Sequence, residues 1–176
     1  MSPAEPETVS HRLRAEDPQI PSALNLEEWA LLAGVGTARA ALPGERLFRR
    51  GDNGNSLFLI DTGEVRLSFE GGLADKVLGA GQYFGELSVF LGQHQRFADA
   101  LVESEGVLFE IGASAFSELL VREPAVISRF MKRSFSYLVS SEQQLMQSLR
   151  RRNEDLMQTL DTLRQTRSEL SVAQQL

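Results

Sequence analysis

"FGELSVFLGQHQRFA", Phe84 to Ala98, sets one carboxylate, Glu86, directly after a glycine and one guanidinium, Arg96, ten residues later in a run otherwise low in charge. "GELSVF" is able to form one helical turn, whose leading backbone N–H groups have no intrahelical acceptor and would face an anion. Arg96 adds a planar, permanently charged donor fork suited to phosphate. Glu86 cannot hold a phosphate, but it accepts hydrogen bonds from hydroxyls. The combination fits a sugar phosphate. The same two residues could instead close on each other as a structural ion pair, and spacing alone leaves both readings open.

Outward from this stretch, Arg39 to about Ile111 carries short apolar or alternating runs ("RLFRR", "SLFLID", "EVRLSF", "KVLGAG", "ADALV", "GVLFEI") separated by glycine-rich turns. This texture predicts a mainly β fold with some helix: an antiparallel β-roll, or jelly-roll-like barrel, followed by a long C-terminal dimerisation helix. Glycines 44, 51, 54, 63, 71, 72, 79, 81 and 85 are expected to supply positive φ at its corners. Before the roll, Asn25 is placed to cap a short helix, "LNLEEWALLAGVG", with Glu27 and Glu28 in its first turn and Gly34 and Gly36 breaking it. After Gly112, "ASAFSELLVRE" reads as one helix, and Pro124 occupies a natural first-turn position for the next.

From Ala125 to Gln174 there is neither proline nor glycine. A helix over that span would be roughly 75 Å long, more than a small domain is wide, so most of it is expected to project. Leu149, Leu156, Leu163 and Leu170 recur every seventh residue; taking them as d places Val139, Met146, Asn153, Leu160 and Arg167 at a. Leucine at d favours two parallel strands, and a buried Asn153 pairs best with its own symmetry mate. A homodimeric parallel coiled coil follows as the expectation, with Arg167 weakening its distal end. The triplet Arg150 to Arg152 is followed directly by Glu154 and Asp155 after Asn153, and reads as a solvated helix face. The domain expectation is thus a disordered leader over 1–23, a roll with flanking helices over 24–124, and a coiled-coil helix over 125–176.

Composition narrows the function. The 176 residues suit one core plus an appendage. A formal charge of −6 and a pI near 5.0 oppose the electrostatics of nucleic-acid binding. With no cysteine and two histidines, His11 and His94, neither thiolate nor imidazole metal sites are expected. No apolar run reaches membrane-span length, and the proline- and acid-rich start lacks a signal core, which makes cytoplasmic residence the expectation. No second carboxylate, positioned base or metal cluster accompanies Glu86, so the chain is not expected to be an enzyme.

From about Leu26 to Leu145 the sequence resembles the cyclic nucleotide-binding domain of the cyclic AMP receptor protein and protein kinase A regulatory subunit superfamily. The resemblance is carried by "LPGERLFRRGDNGNSLFLIDTGEVRLS", by Phe84-Gly85-Glu86-Leu87, and by Arg96-Phe97-Ala98. It implies a β-roll that holds a cyclic nucleotide, cyclic AMP being the candidate ligand. Glu86 would accept the ribose 2′-hydroxyl and Arg96 would pair with the cyclic phosphate. The N–H groups of Gly85, Glu86, Leu87 and Ala98 would orient the ligand, and Ser141, on the lidding helix, would reach the base. Two departures stand out. Phe97 replaces the small residue the family places after its arginine, so its ring is expected either to turn outward or to crowd the pocket. The zipper stands where receptor-type members carry a helix-turn-helix domain. The expectation is a non-enzymatic cyclic-nucleotide sensor that signals through its helix or an unknown partner; the alternative is a ligand-free scaffold that keeps only the roll.

Overall fold

The computed structural model of the chain describes residues 23–71, 74–92 and 95–173. His11, Gly72, His94 and nearly all of the expected leader lie outside them. The first helix, α1 (Leu26–Val35), is fastened by a capping box. Asn25 Oδ1 accepts from the Glu28 N–H at 2.8 Å, and Glu28 Oε2 accepts from the Asn25 N–H at 3.2 Å. Gly34 lies inside this helix rather than breaking it; the helix ends before Gly36, which is extended.

Six strands follow: β1 (Thr37–Ala41), β2 (Arg46–Phe48), β3 (Ser56–Ser68), β4 (Lys76–Leu78), β5 (Tyr83–Phe84) and β6 (Asp99–Gly112). All pairings are antiparallel, in the order β1-β6-β3-β4, with β2 also on β6 and β5 also on β3. The pairing forms an open path, so the architecture is a roll and not a closed barrel. "SLFLID" and "EVRLSF", expected as two strands, are one, as are "ADALV" and "GVLFEI". The register shifts near Thr62 let these long strands bend instead of breaking. Gly106 permits the bend: a Cβ there would stand 1.9 Å from the Thr62 carbonyl oxygen.

The segment Ser56 to Ile60 is buried on both faces, which explains its unbroken apolar run. Leu57 and Leu59 join Ile111, Phe116, Leu119, Ile127 and Phe130 in a core beneath the helices. Phe58 and Ile60 point the other way, into the roll, with Phe84, Ala100, Val102 and Leu108. Alternation along β3 therefore supplies two cores from one strand.

Helices α2 (Glu86–Phe90), α3 (Ala113–Arg122) and α4 (Pro124–Ala173) complete the chain. α4 opens on Pro124, where a missing N–H costs nothing. The chain divides into two compact units, one up to Arg133 and one from Ser134 onward. Within the first, Arg133 donates from both terminal nitrogens to the buried carboxylate of Glu28, at 2.8 and 2.5 Å. That bond raises the pKa of the Arg133 guanidinium. Within the second, the side chains of Val139, Met146, Leu149, Asn153, Leu156, Leu160, Leu163 and Leu170 are exposed. No helix among the described residues is long and apolar enough to cross a membrane.

Candidate functional site

β5 delivers the chain to Gly85, which caps α2 in the left-handed region at φ 77°. That conformation suits glycine, and space demands it as well: a Cβ here would lie 2.5 Å from Arg96 Nη1. Gly54 serves the same group differently. Neither Gly54 nor Gly79 has the positive φ expected of it. At Gly54 the requirement is close approach, since a Cβ would stand 2.1 Å from Ser88 Oγ, 2.5 Å from Arg96 Nε and 2.7 Å from Arg96 Cζ. The two glycines form a slot with the thickness of a guanidinium.

Arg96 fills that slot and is only 7% exposed. Its guanidinium carbon lies 4.2 Å from the ring centroid of Phe48 and 5.8 Å from that of Phe58, a cation–π bed. Phe84 stacks on Phe58 at 5.1 Å and extends it. Nη1 donates to the Gly85 carbonyl at 3.2 Å and Nη2 to Ser56 Oγ at 3.3 Å; the Ser56 hydroxyl in turn donates to Glu110 Oε1 at 2.9 Å. The backbone is pinned too, its N–H donating to the Asp52 carbonyl and its carbonyl accepting from the Gly51 N–H, both at 2.8 Å.

Among the described residues no carboxylate forms an ion pair with Arg96. The Glu86–Arg96 pair that spacing left open is therefore not made. Burial lowers the pKa of the guanidinium, against the opposing fields of Glu110, Asp52 and Glu86. Withdrawing a charge from water without a counter-ion costs several kcal/mol, and folds tolerate such groups where an anion is to be received.

Glu86, the first residue of α2, is half-buried, and burial pushes its carboxyl above the ordinary carboxylate range. Its own backbone N–H, then Lys76 and Arg96, pull in the other direction. Glu86 and Leu87, leading α2, carry N–H groups with no carbonyl behind them in the helix. Ala98 is buried at 5%, like Arg96, while Phe97 between them is 54% exposed. Exposed between two buried neighbours, the phenyl ring turns outward and does not fill the roll. Ser141 lies on α4 in the second unit, outside the slot's own unit.

Phe48, Gly54, Ser56, Phe58 and Glu110 all serve Arg96, and none was legible as a site residue. Gly54 gave the nearest signal, as one of two glycines in "GDNGNS", but a turn explained it equally well.

The cyclic nucleotide-binding domain family matches residues 38–123, a span that holds the slot, Glu86 and Arg96. A solved structure from a cyclic-GMP-dependent signalling pathway that regulates bacterial phytopathogenesis is 34% identical, covers 68% of this chain and 97% of its own, and superposes with a TM-score of 0.66. The chain belongs to the cyclic nucleotide-binding domain family. The catabolite activator protein of Thermus thermophilus, 27% identical over 69% of this chain and 59% of its own, shares the fold with a TM-score of 0.59. Glutaminase 1 of Bradyrhizobium diazoefficiens is 27% identical over 118 residues, 67% of this chain and 19% of the glutaminase. The chain spans about a fifth of the length of the curated relatives it matches.

Proposed function

We propose that this chain is a non-enzymatic cyclic nucleotide-binding regulatory module whose output passes through α4. Arg96 takes the cyclic phosphate and Glu86 the ribose 2′-hydroxyl, with backbone N–H groups of Gly85, Glu86, Leu87 and Ala98 orienting the ligand. The observation that carries this reading is the Arg96 guanidinium, buried in a two-glycine slot with no ion-paired carboxylate among the described residues. Such a group gains more from an arriving anion than an arginine already paired. The outward Phe97 supports the same reading, because it leaves the roll interior unplugged. The regulatory unit extends over 24–124. Beyond the first turns of α4, whose Ile127 and Phe130 pack in the core, the helix forms a parallel homodimeric coiled coil along Val139, Met146, Leu149, Asn153, Leu156, Leu160, Leu163 and Leu170, and a ligand shifts it only by binding its two states unequally.

Calorimetric titration with cyclic AMP and cyclic GMP tests the proposal. Binding should be present in the wild type and weakened about a hundred-fold or more in Arg96→Ala, the loss of two charge-assisted hydrogen bonds at about 1.5–3 kcal/mol each. Ser141→Ala tests the candidate contact to the base. No binding to the wild type at millimolar nucleotide overturns the reading.

A further inference from the structure

We infer that Ser56 and Glu110 are positioning residues for Arg96: the serine hydroxyl spaces the guanidinium from the Glu110 carboxylate, so the arginine is held by a relay and not by a closed ion pair. The inference rests on the reading of Arg96 as the anion-binding group. Its basis is the chain of bonds from Nη2 to Ser56 Oγ at 3.3 Å and from Oγ to Glu110 Oε1 at 2.9 Å. A hydroxyl has one donor and two acceptor sites. By giving its hydrogen to Glu110, Ser56 turns a lone pair toward Arg96.

Both residues stand on the two long, mutually paired strands, with Phe58 opposite Glu110 and Ser56 opposite Gly112. Ser56 is buried. The relay thus sits where the start of β3 pairs with the end of β6. The two bonds bound the separation of Nη2 and Oε1 at about 6 Å, near enough for Glu110 to stabilise the buried guanidinium, yet no ion pair closes between them among the described residues. Closure of that gap would turn an open receptor for phosphate into a satisfied ion pair.

Three consequences follow in sign. Without the Ser56 hydroxyl, Arg96 and Glu110 collapse together and the fork is lost to the ligand. Without the Glu110 charge, the repulsion between that carboxylate and an incoming phosphate disappears, while Arg96 loses its balancing charge. With both changes made, nothing remains for Arg96 to collapse onto.

The test uses the full chain with cyclic AMP and cyclic GMP in calorimetry. Ser56→Ala should weaken binding tenfold or more, Ser56→Thr should keep it, and Glu110→Gln should tighten it three- to thirtyfold. Ser56→Ala with Glu110→Gln should recover most of the loss. A double variant that binds as weakly as Ser56→Ala overturns the inference, because a merely structural serine is not rescued by removing the Glu110 charge. Thermal unfolding without ligand supplies an independent arm. Glu110→Gln should lower the melting temperature by several degrees in the wild type and hardly at all in Arg96→Met. Equal shifts in both backgrounds refute the relay. If the wild type binds neither nucleotide, the proposed function fails, and the unfolding arm alone still decides whether Glu110 and Arg96 are coupled.

Discussion

Replacement of Gly54 by alanine separates affinity from stability. The added methyl would meet Ser88 Oγ at 2.1 Å, Arg96 Nε at 2.5 Å and Arg96 Cζ at 2.7 Å, all well inside the 3.4 Å at which ordinary contact begins. Overpacking of this kind costs about 1–3 kcal/mol. The low end applies, because the atoms in the way are a hydroxyl and a guanidinium that yield without moving backbone. For a roll of this size, a loss of about 1 kcal/mol lowers the melting temperature by about 4–8 °C. The yielding group is the one that binds. Displacing the fork by nearly 1 Å removes one of its two hydrogen bonds to phosphate, about 1.5–3 kcal/mol, or roughly ten- to a hundred-fold in affinity. Gly79→Ala is the control: nothing lies within 4 Å of its Cβ position and its φ is not positive, so about 0.4–1 kcal/mol of added stability and unchanged affinity are expected. Differential scanning calorimetry and titration with cyclic AMP read the two quantities. A Gly54→Ala protein that binds like Gly79→Ala refutes the slot.

Burial raises the folded-state pKa of Glu86 above its unfolded value, so ionisation costs stability above the folded pKa, and the cost vanishes as pH falls below the unfolded one. Glu86→Gln is therefore expected to melt higher than wild type at about pH 7.5, to match it at about pH 3, and to bind cyclic nucleotide more weakly; a lower melting point at the higher pH contradicts this. Arg133→Met strands the Glu28 carboxylate, itself 2% exposed, and should cost about 3 kcal/mol in chemical denaturation; a loss under about 1 kcal/mol means the pair is dispensable. Asn153→Val should stabilise the coiled coil while loosening its dimer selection, and light scattering that shows a wild-type monomer at every concentration ends the zipper reading.

Much of the fold was written locally. The capping box at Asn25 and Glu28, the proline that opens α4 and the turn at Gly85 each depend on residues a few positions apart, so their chemistry is visible in a short window. The strand count was harder. "SLFLID" and "EVRLSF" looked like two strands because Thr62-Gly63 resembles a turn; only pairing against β6 turns it into a bulge. Gly34 misled for a related reason, since α1 continues through it while the chain is held by Leu32 in the core.

Sequence by itself determined that a carboxylate and a guanidinium stand at the two ends of one loop, on a glycine-punctuated roll followed by a heptad helix. It did so because periodicity and short-range spacing survive in one dimension. It left open whether Arg96 pairs with Glu86, whether Phe97 plugs the roll, and what holds the guanidinium in place. Tertiary structure decided these. The answers depend on Phe48, Gly54, Ser56 and Glu110, of which Ser56 lies 40 residues from Arg96 and 54 from Glu110. Strand register brings such residues together, and register is set by the burial of two faces at once, which no local pattern records.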